Sequence, residues 1–277
     1  MPKIEAKHYL PVESYQEALG ALHAVSVAIL FEFARQKLDT RDTIICNFIA
    51  RTDMMMRAVF RLWDIQDYQD CWILYRCLLD RLFHLHHLHT HNQFELFEEW
   101  SFIEQYNAVN RVRSDPEFKA ALESKMFNLT PEQKNRAKAI AKNPPLWQRP
   151  KAEEVAKQLD MRFLYRFGYD YGSMHVHPMA NDGLQDFFTI TKLEPAPDFP
   201  EQRSVLSNTL LIAKMTVQQG LNSSSLSWRA LVYDFLDHLL KLLDTGSEEY
   251  KISFLKLANL FQNNVPLCKI PSHIQDE

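Results

Sequence analysis

Glycine is almost missing from this chain, with 6 in 277 residues. Sheet proteins spend glycine at tight turns and bulges, so its scarcity argues against a sheet-rich fold and for long helices joined by few sharp turns. Cysteine is scarce too: Cys46, Cys71, Cys77 and Cys268 form no CxxC pair. That leaves no zinc-ribbon or redox spacing and suggests a reduced, cytoplasmic chain. No Walker or dinucleotide glycine loop is present, nor a GxSxG elbow or HExxH, which removes the commonest nucleotide, serine-hydrolase and zinc-protease signatures. Apolar runs are interrupted by charge within a few residues, so no membrane span is expected. The opening MPKIEAKHYLPVESY has no apolar signal-peptide core. No repeat of 20–50 residues recurs, which argues against a solenoid.

What is present is ordinary for a globular helical protein: 46% apolar and 24% charged residues, with a net charge of −4. No global excess of positive charge invites nucleic acid or anionic membrane. Periodicity predicts helices over about Val12–Gln36, Asp42–Trp63, Tyr68–His89 and Phe94–Val112, the second capped by Thr40 or Asp42. Ser114-Asp115-Pro116-Glu117 and Thr130-Pro131-Glu132 read as helix starts, the latter before 133-QKNRAKAIAK-142. The loop 143-NPPLWQRP-150 separates these from helices at Lys151–Gln158 and Phe163–Met174. Helices at about Ser204–Leu221, Leu226–Leu243 and Ser247–Gln262 follow 194-EPAPDFPEQ-202, and 186-DFFTITKLE-194 is the only strand-like candidate. The expected fold is an all-α, irregular multi-helix bundle in one domain. Its core would span about 12–180, with C-terminal helices at 204–262 packed on it.

Three constellations carry candidate chemistry. In 76-RCLLDRLFHLHHLHTH-91, Arg76, Asp80, His84 and His87 share a helix face, either as an ion pair leading into a solvated histidine-rich end or as ionic groups lining a cavity. Asp80, His84 and His87 also have carboxylate and imidazole spacing for a metal, although no second ligand motif accompanies them. On the preceding predicted helix Asp53, Arg57 and Arg61 form a ladder, either exposed or meeting Arg76 and Asp80 in one cluster. Met54, Met55 and Met56 read as core filling. In 162-RFLYRFGYDYGSMHVHP-178, Tyr165, Tyr169, Ser173 and His177 recur every fourth residue, with His175 as an alternative if Pro178 turns His177 aside. Histidine is the side chain suited to proton transfer near neutrality, and a tyrosine and serine one or two turns away could orient a substrate. The bland alternative is hydroxyls bonded to backbone carbonyls and an imidazole closing the helix.

Taken together, Arg76-x-Leu78-x-Asp80 running on to LHHL, then Trp147, then Tyr169-xxx-Ser173-xxx-His177, resembles a bacterial family of helical proteins without an assigned function. Arg51 with Asp53 fits the same pattern, and the likeness covers about residues 40–180. That family is in turn similar to the HEPN superfamily of helical bundles, many of them metal-independent ribonucleases of toxin–antitoxin and phage-defence systems, often dimeric. The superfamily's signature places a histidine four to six residues after an arginine, whereas here Arg166 precedes His175 by nine. The resemblance implies an effector acting on RNA or a nucleotide without a cofactor. His177 or His175 would exchange protons, Arg76 or Arg166 would stabilise phosphate charge, Asp80 would hold the arginine, and Tyr169 and Ser173 would position substrate. Two other readings stand beside it. One is a non-catalytic helical interaction module with a buried polar network, partnered by a second copy or another protein. The other is a metal-dependent hydrolase.

Overall fold

The computed structural model describes residues 9–118, 129–176, 180, 183–192, 202–224, 226 and 228–264. All regular structure among them is helical. The long helices are α1 (Val12–Ala34), α2 (Thr40–Asp64), α3 (Tyr68–His91) and α4 (Phe94–Ser114), followed by the shorter α5 (Pro131–Ile140) and α6 (Ala152–Gln158). Next comes a continuous helical stretch: α7 (Arg162–Leu164), a π-helical turn (Tyr165–Asp170) and α8 (Tyr171–Val176). The last described helices are α9 (Leu184–Thr191), α10 (Gln202–Ser223), α11 (Arg229–Thr245) and α12 (Tyr250–Asn264).

Local chemistry sets these boundaries. The Asp39 side chain accepts from the Asp42 amide at 2.7 Å, so Asp39 caps α2 in place of the expected Thr40 or Asp42. Asp67 does the same for α3 at 3.2 Å, and Asn92 closes that helix in the left-handed region. Thr130 and Gln133 form the reciprocal capping box that the Thr-Pro-Glu start foreshadows. At Ser114–Glu117, α4 instead runs through Ser114, and the Asp115 carboxylate caps the Glu117 amide at 2.9 Å. The weak strand-like candidate at 186–194 is not extended where it is described, and its residues 193–194 lie outside the described residues. Residues 184–191 are helical, with the Thr191 hydroxyl donating back to the Phe187 carbonyl at 2.7 Å. Phe187 and Phe188 carry high β-propensity, but that propensity is expressed against a neighbouring strand, and none is present among the described residues.

The core is a cluster of α2, α3 and α10, each packed on the other two, with α1 against α2 and α10. α10 is central to it: Val205, Leu206, Leu210, Ile212, Ala213, Val217 and Leu221 are all buried. Six of these are Val, Leu or Ile, each contributing about 1.5–3 kcal/mol on burial before conformational entropy is set against it, so α10 is a major part of the core. The C-terminal helices therefore complete the core. α11 and α12 pair through Phe235, Leu239, Tyr250 and Leu257, and α12 also touches α1. By length and composition α1 qualifies as a possible membrane span, contrary to the expectation from charge interruption, and its Leu22, Val25, Ile29 and Phe33 lie buried in this core.

Candidate functional site

On the side of α3 away from α10 lies the 162–176 stretch, and two glycines let it come close. A Cβ on Gly172 would sit 2.6 Å from the Trp72 carbonyl oxygen and 2.9 Å from the Arg76 Cβ, while one on Gly168 would penetrate the Tyr75 ring. Spaced four apart, both glycines face α3 from one side of the helix. The π turn widens the backbone between them and re-aims the side chains that follow.

This crossing brings the two sequence-distant stripes together. The Arg76 Nε donates to the Ser173 hydroxyl at 2.7 Å, and its Nη2 reaches the Tyr169 hydroxyl at 3.4 Å. Nη1 pairs with Asp80 at 3.5 Å. The guanidinium carbon lies 4.7 Å from the centre of the Tyr169 ring, a cation–π contact. Ser173 in turn donates its own proton to the Tyr169 backbone carbonyl at 2.7 Å. Burial, followed by the Asp80 charge, raises the Tyr169 hydroxyl's pKa, with Arg76 opposing. The phenol therefore keeps its proton near neutrality. The Arg76 and Asp80 side chains are 28% and 33% exposed, so solvent reaches the cluster.

The remaining candidates lie elsewhere or beyond description. Arg166 is on the surface, bonded to Asp170 at 3.1 Å and Glu153 at 3.3 Å, so it does not share the Arg76 centre. It is linked to that centre only through a ring stack: its guanidinium carbon is 5.5 Å from the Tyr165 ring, which stacks 5.2 Å from Tyr169. His175 packs edge-on against Tyr171, 4.6 Å between centres, and Tyr171 packs on Trp72. His177 lies outside the described residues.

The metal and ladder expectations also change. His84 turns its Nδ1–H to the Asp80 backbone carbonyl at 2.7 Å and is desolvated beside Trp147, which lowers its pKa. His87 packs against His91 with the rings tilted and their centres 4.4 Å apart. Among the described residues no three His, Cys, Asp or Glu side chains gather as a metal-ligand set. Asp53 is buried, so the ladder is not an exposed one. It accepts from His23 Nδ1 of α1 at 2.8 Å and pairs with Arg57 at 3.3 Å, tying α2 to α1 and not to Arg76. Trp147 is buried against Trp100, Phe97 and His84, pinning the proline-rich loop to α3 and α4. Met55 and Met56 fill the core as expected, while Met54 is exposed.

Sequence reasoning missed Gly168 and Gly172, although their four-residue spacing was visible in 168-GYDYG-172. It also missed Arg81, whose contacts Met55 and Phe48 lie on α2 and leave no local pattern. Comparison with known proteins adds one finding. No curated protein and no solved structure matches this chain. Residues 42–192, from α2 through α9 and so including both halves of the Arg76 cluster, match a family of unknown function (DUF5677), and the chain belongs to that family.

Proposed function

We propose that this chain is a helical interaction module. In this reading the Arg76 network fixes the crossing of α3 with the 162–176 stretch, which presents an aromatic face to a second copy of the chain. The observation that carries it is the outer side of that stretch. Phe163, Phe167, Tyr171 and Met174 are 68%, 62%, 43% and 50% exposed, and the Phe163 and Phe167 rings stack at 4.4 Å. A run of large apolar side chains of this kind marks an association surface. Its rim carries both signs of charge in Arg166, Glu153 and Asp170. A patch whose apolar centre is rimmed by both signs can pair with itself across a two-fold axis, which favours a like copy over a strongly charged partner. The inner groups are committed to one another: Ser173 accepts from Arg76 and donates to a carbonyl. Light scattering on eluting protein tests the proposal. The wild type should be a dimer, and Phe163→Asp/Phe167→Asp a monomer with unchanged helical circular dichroism. A wild type that stays monomeric at high concentration, or a double variant that stays dimeric, overturns it.

One observation favours a second reading, a HEPN-like ribonuclease of a phage-defence or toxin system. The terminal nitrogens of Arg76 make only long contacts, 3.4 and 3.5 Å, at a solvent-reachable edge. A phosphate oxygen could compete for them. RNA brings its own nucleophile, the 2′-hydroxyl. A base removes its proton, the oxygen attacks phosphorus, and the 5′-oxygen leaves with a proton from an acid. Arg76 would stabilise the phosphorane, with His177 or His175 exchanging the proton. Incubating RNA in EDTA with wild type, Arg76→Ala and His177→Ala is the test. Cleavage by wild type alone supports this reading, and intact RNA in every lane removes it.

A further inference from the structure

A second arginine of α3, five residues beyond Arg76, opens on a different part of the molecule. Arg81 lines a cleft of about 670 Å³ between α2, α4 and α5. Polar groups come from Thr43 and Asn47 on α2 and from Ser101 and Gln105 on α4, and Phe48 supplies a flat apolar wall. The charged lining residues are two arginines, Arg81 and Arg136, and two carboxylates, Asp39 and Glu98; Asp39 pairs with Arg41 and Glu98 with Arg136. Such a mixture of aromatic wall, amides, hydroxyls and charge suits a small-molecule site, and the volume lies within the range such sites occupy.

Arg81 itself lacks an anionic partner. Its Nε donates to the Met55 sulfur at 3.2 Å, a weak acceptor, and its guanidinium carbon is 5.9 Å from the Phe48 ring centre. No carboxylate forms an ion pair with it among the described residues. Burial and then the like charge of Arg51 both disfavour its charged form, with Cys77 and then Asp80 opposing. A half-buried guanidinium with thioether and ring for company is the arrangement that an incoming oxyanion relieves. The cleft's other arginine, Arg136, is already neutralised by Glu98 and lies over the Phe102 ring at 4.3 Å. The vacant charge is therefore at Arg81.

We propose that this cleft binds a small molecule joining a flat ring to an oxyanion, with the anion on Arg81 and the ring against Phe48. The assignment does not depend on the Arg76 readings, because the two sites share no side chain. Phosphate and carboxylate are both oxyanions, so calorimetric titration of the full chain uses adenosine monophosphate, benzoate, adenosine and inorganic phosphate. Saturable millimolar-or-better binding of the monophosphate or of benzoate is expected, and whichever binds tells phosphate from carboxylate. Adenosine should bind at least about tenfold more weakly than its monophosphate, as should the ring-bearing anion to Arg81→Gln, because a charge-assisted bond is lost. Ser101→Trp, which fills the cleft without touching the charge, should abolish binding and decides the matter if Arg81→Gln does not fold. Failure of both ring-bearing anions to bind the wild type overturns the proposal. So does binding of inorganic phosphate alone, or binding unchanged by Arg81→Gln or, if that variant does not fold, by Ser101→Trp.

Discussion

Arg76 and Arg81 stand five residues apart on one helix, and their surroundings differ in almost every respect. Arg76 faces a helix pressed close by two glycines, where a hydroxyl, a phenol ring and a carboxylate meet the guanidinium. Arg81 faces an open cleft with a sulfur and a phenyl ring at hand. The same side chain thus serves as a tie between helices in one place and as unspent charge in the other. A buried or half-buried cation that the protein itself satisfies is poor evidence for a ligand, whereas one it leaves unsatisfied calls for an explanation.

The sharpest way to break this contrast is to push the two helices apart. Gly172→Val would place a branched side chain against the Trp72 backbone, which cannot swing aside as a flexible side chain would. Overpacking of this kind costs roughly 1–3 kcal/mol, and occasionally more. We expect the upper end of that range, read as a lower urea midpoint with unchanged slope. We also expect Tyr169 to become more accessible to solvent. An unchanged midpoint would mean that the crossing is looser than its geometry implies.

Removing each guanidinium separately sharpens the comparison. Arg76→Ala deletes a 2.7 Å charge-assisted bond and leaves Asp80 without its cationic partner, which should cost about 1–3 kcal/mol after allowing for partial solvent exposure. Arg81→Met keeps the length of the side chain and removes a charge whose company is already apolar. It should be neutral or stabilising, by up to about 1 kcal/mol, as when buried ionic groups give way to apolar ones. Urea unfolding of both variants checks the pair. Equal losses would show that Arg81 is held by contacts as strong as those of Arg76.

Much of the Arg76 cluster was legible because helical spacing is local. Tyr169 and Ser173 are four apart, as are Arg76 and Asp80, so each pair must share a face wherever its helix lies. The all-α class followed from the same periodicity and from scarce glycine. What spacing cannot supply is the partner of a face. Asp53 reads as one rung of an exposed ladder, yet it is buried against His23 of α1, because the docking of α1 on α2 depends on apolar side chains along their whole length. The 186–194 segment failed for a related reason: β-propensity is a statement about a neighbouring strand, and none exists among the described residues. The central position of α10 was equally hidden, since an apolar helix reads alike whether it lies in a core or on its edge.

The smallest expected effect concerns protons on the far turn of α3, beyond both arginines. Burial is the main cause lowering the pKa of His84, His86 and His87. A free imidazole titrates near ~6.5, so as pH falls through that value the unfolded chain takes up protons that the folded chain still refuses. Stability therefore rises with pH across this window: it is fully present above the unfolded value and lost progressively as pH falls toward the folded one. Asp70, whose carboxyl is raised by burial and then by Asp67, acts with the opposite sign, so the histidine contribution is read from the difference between wild type and a histidine variant. Urea midpoints taken from about pH 7.5 down to about pH 5.5 should fall in the wild type. His84→Asn retains a donor for the Asp80 carbonyl and removes one of the three titrating rings. Its midpoint should decline less steeply over the same interval. A slope identical to that of the wild type would mean that His84 is as free to protonate in the folded chain as in the unfolded one, so that its packing against Trp147 excludes no water.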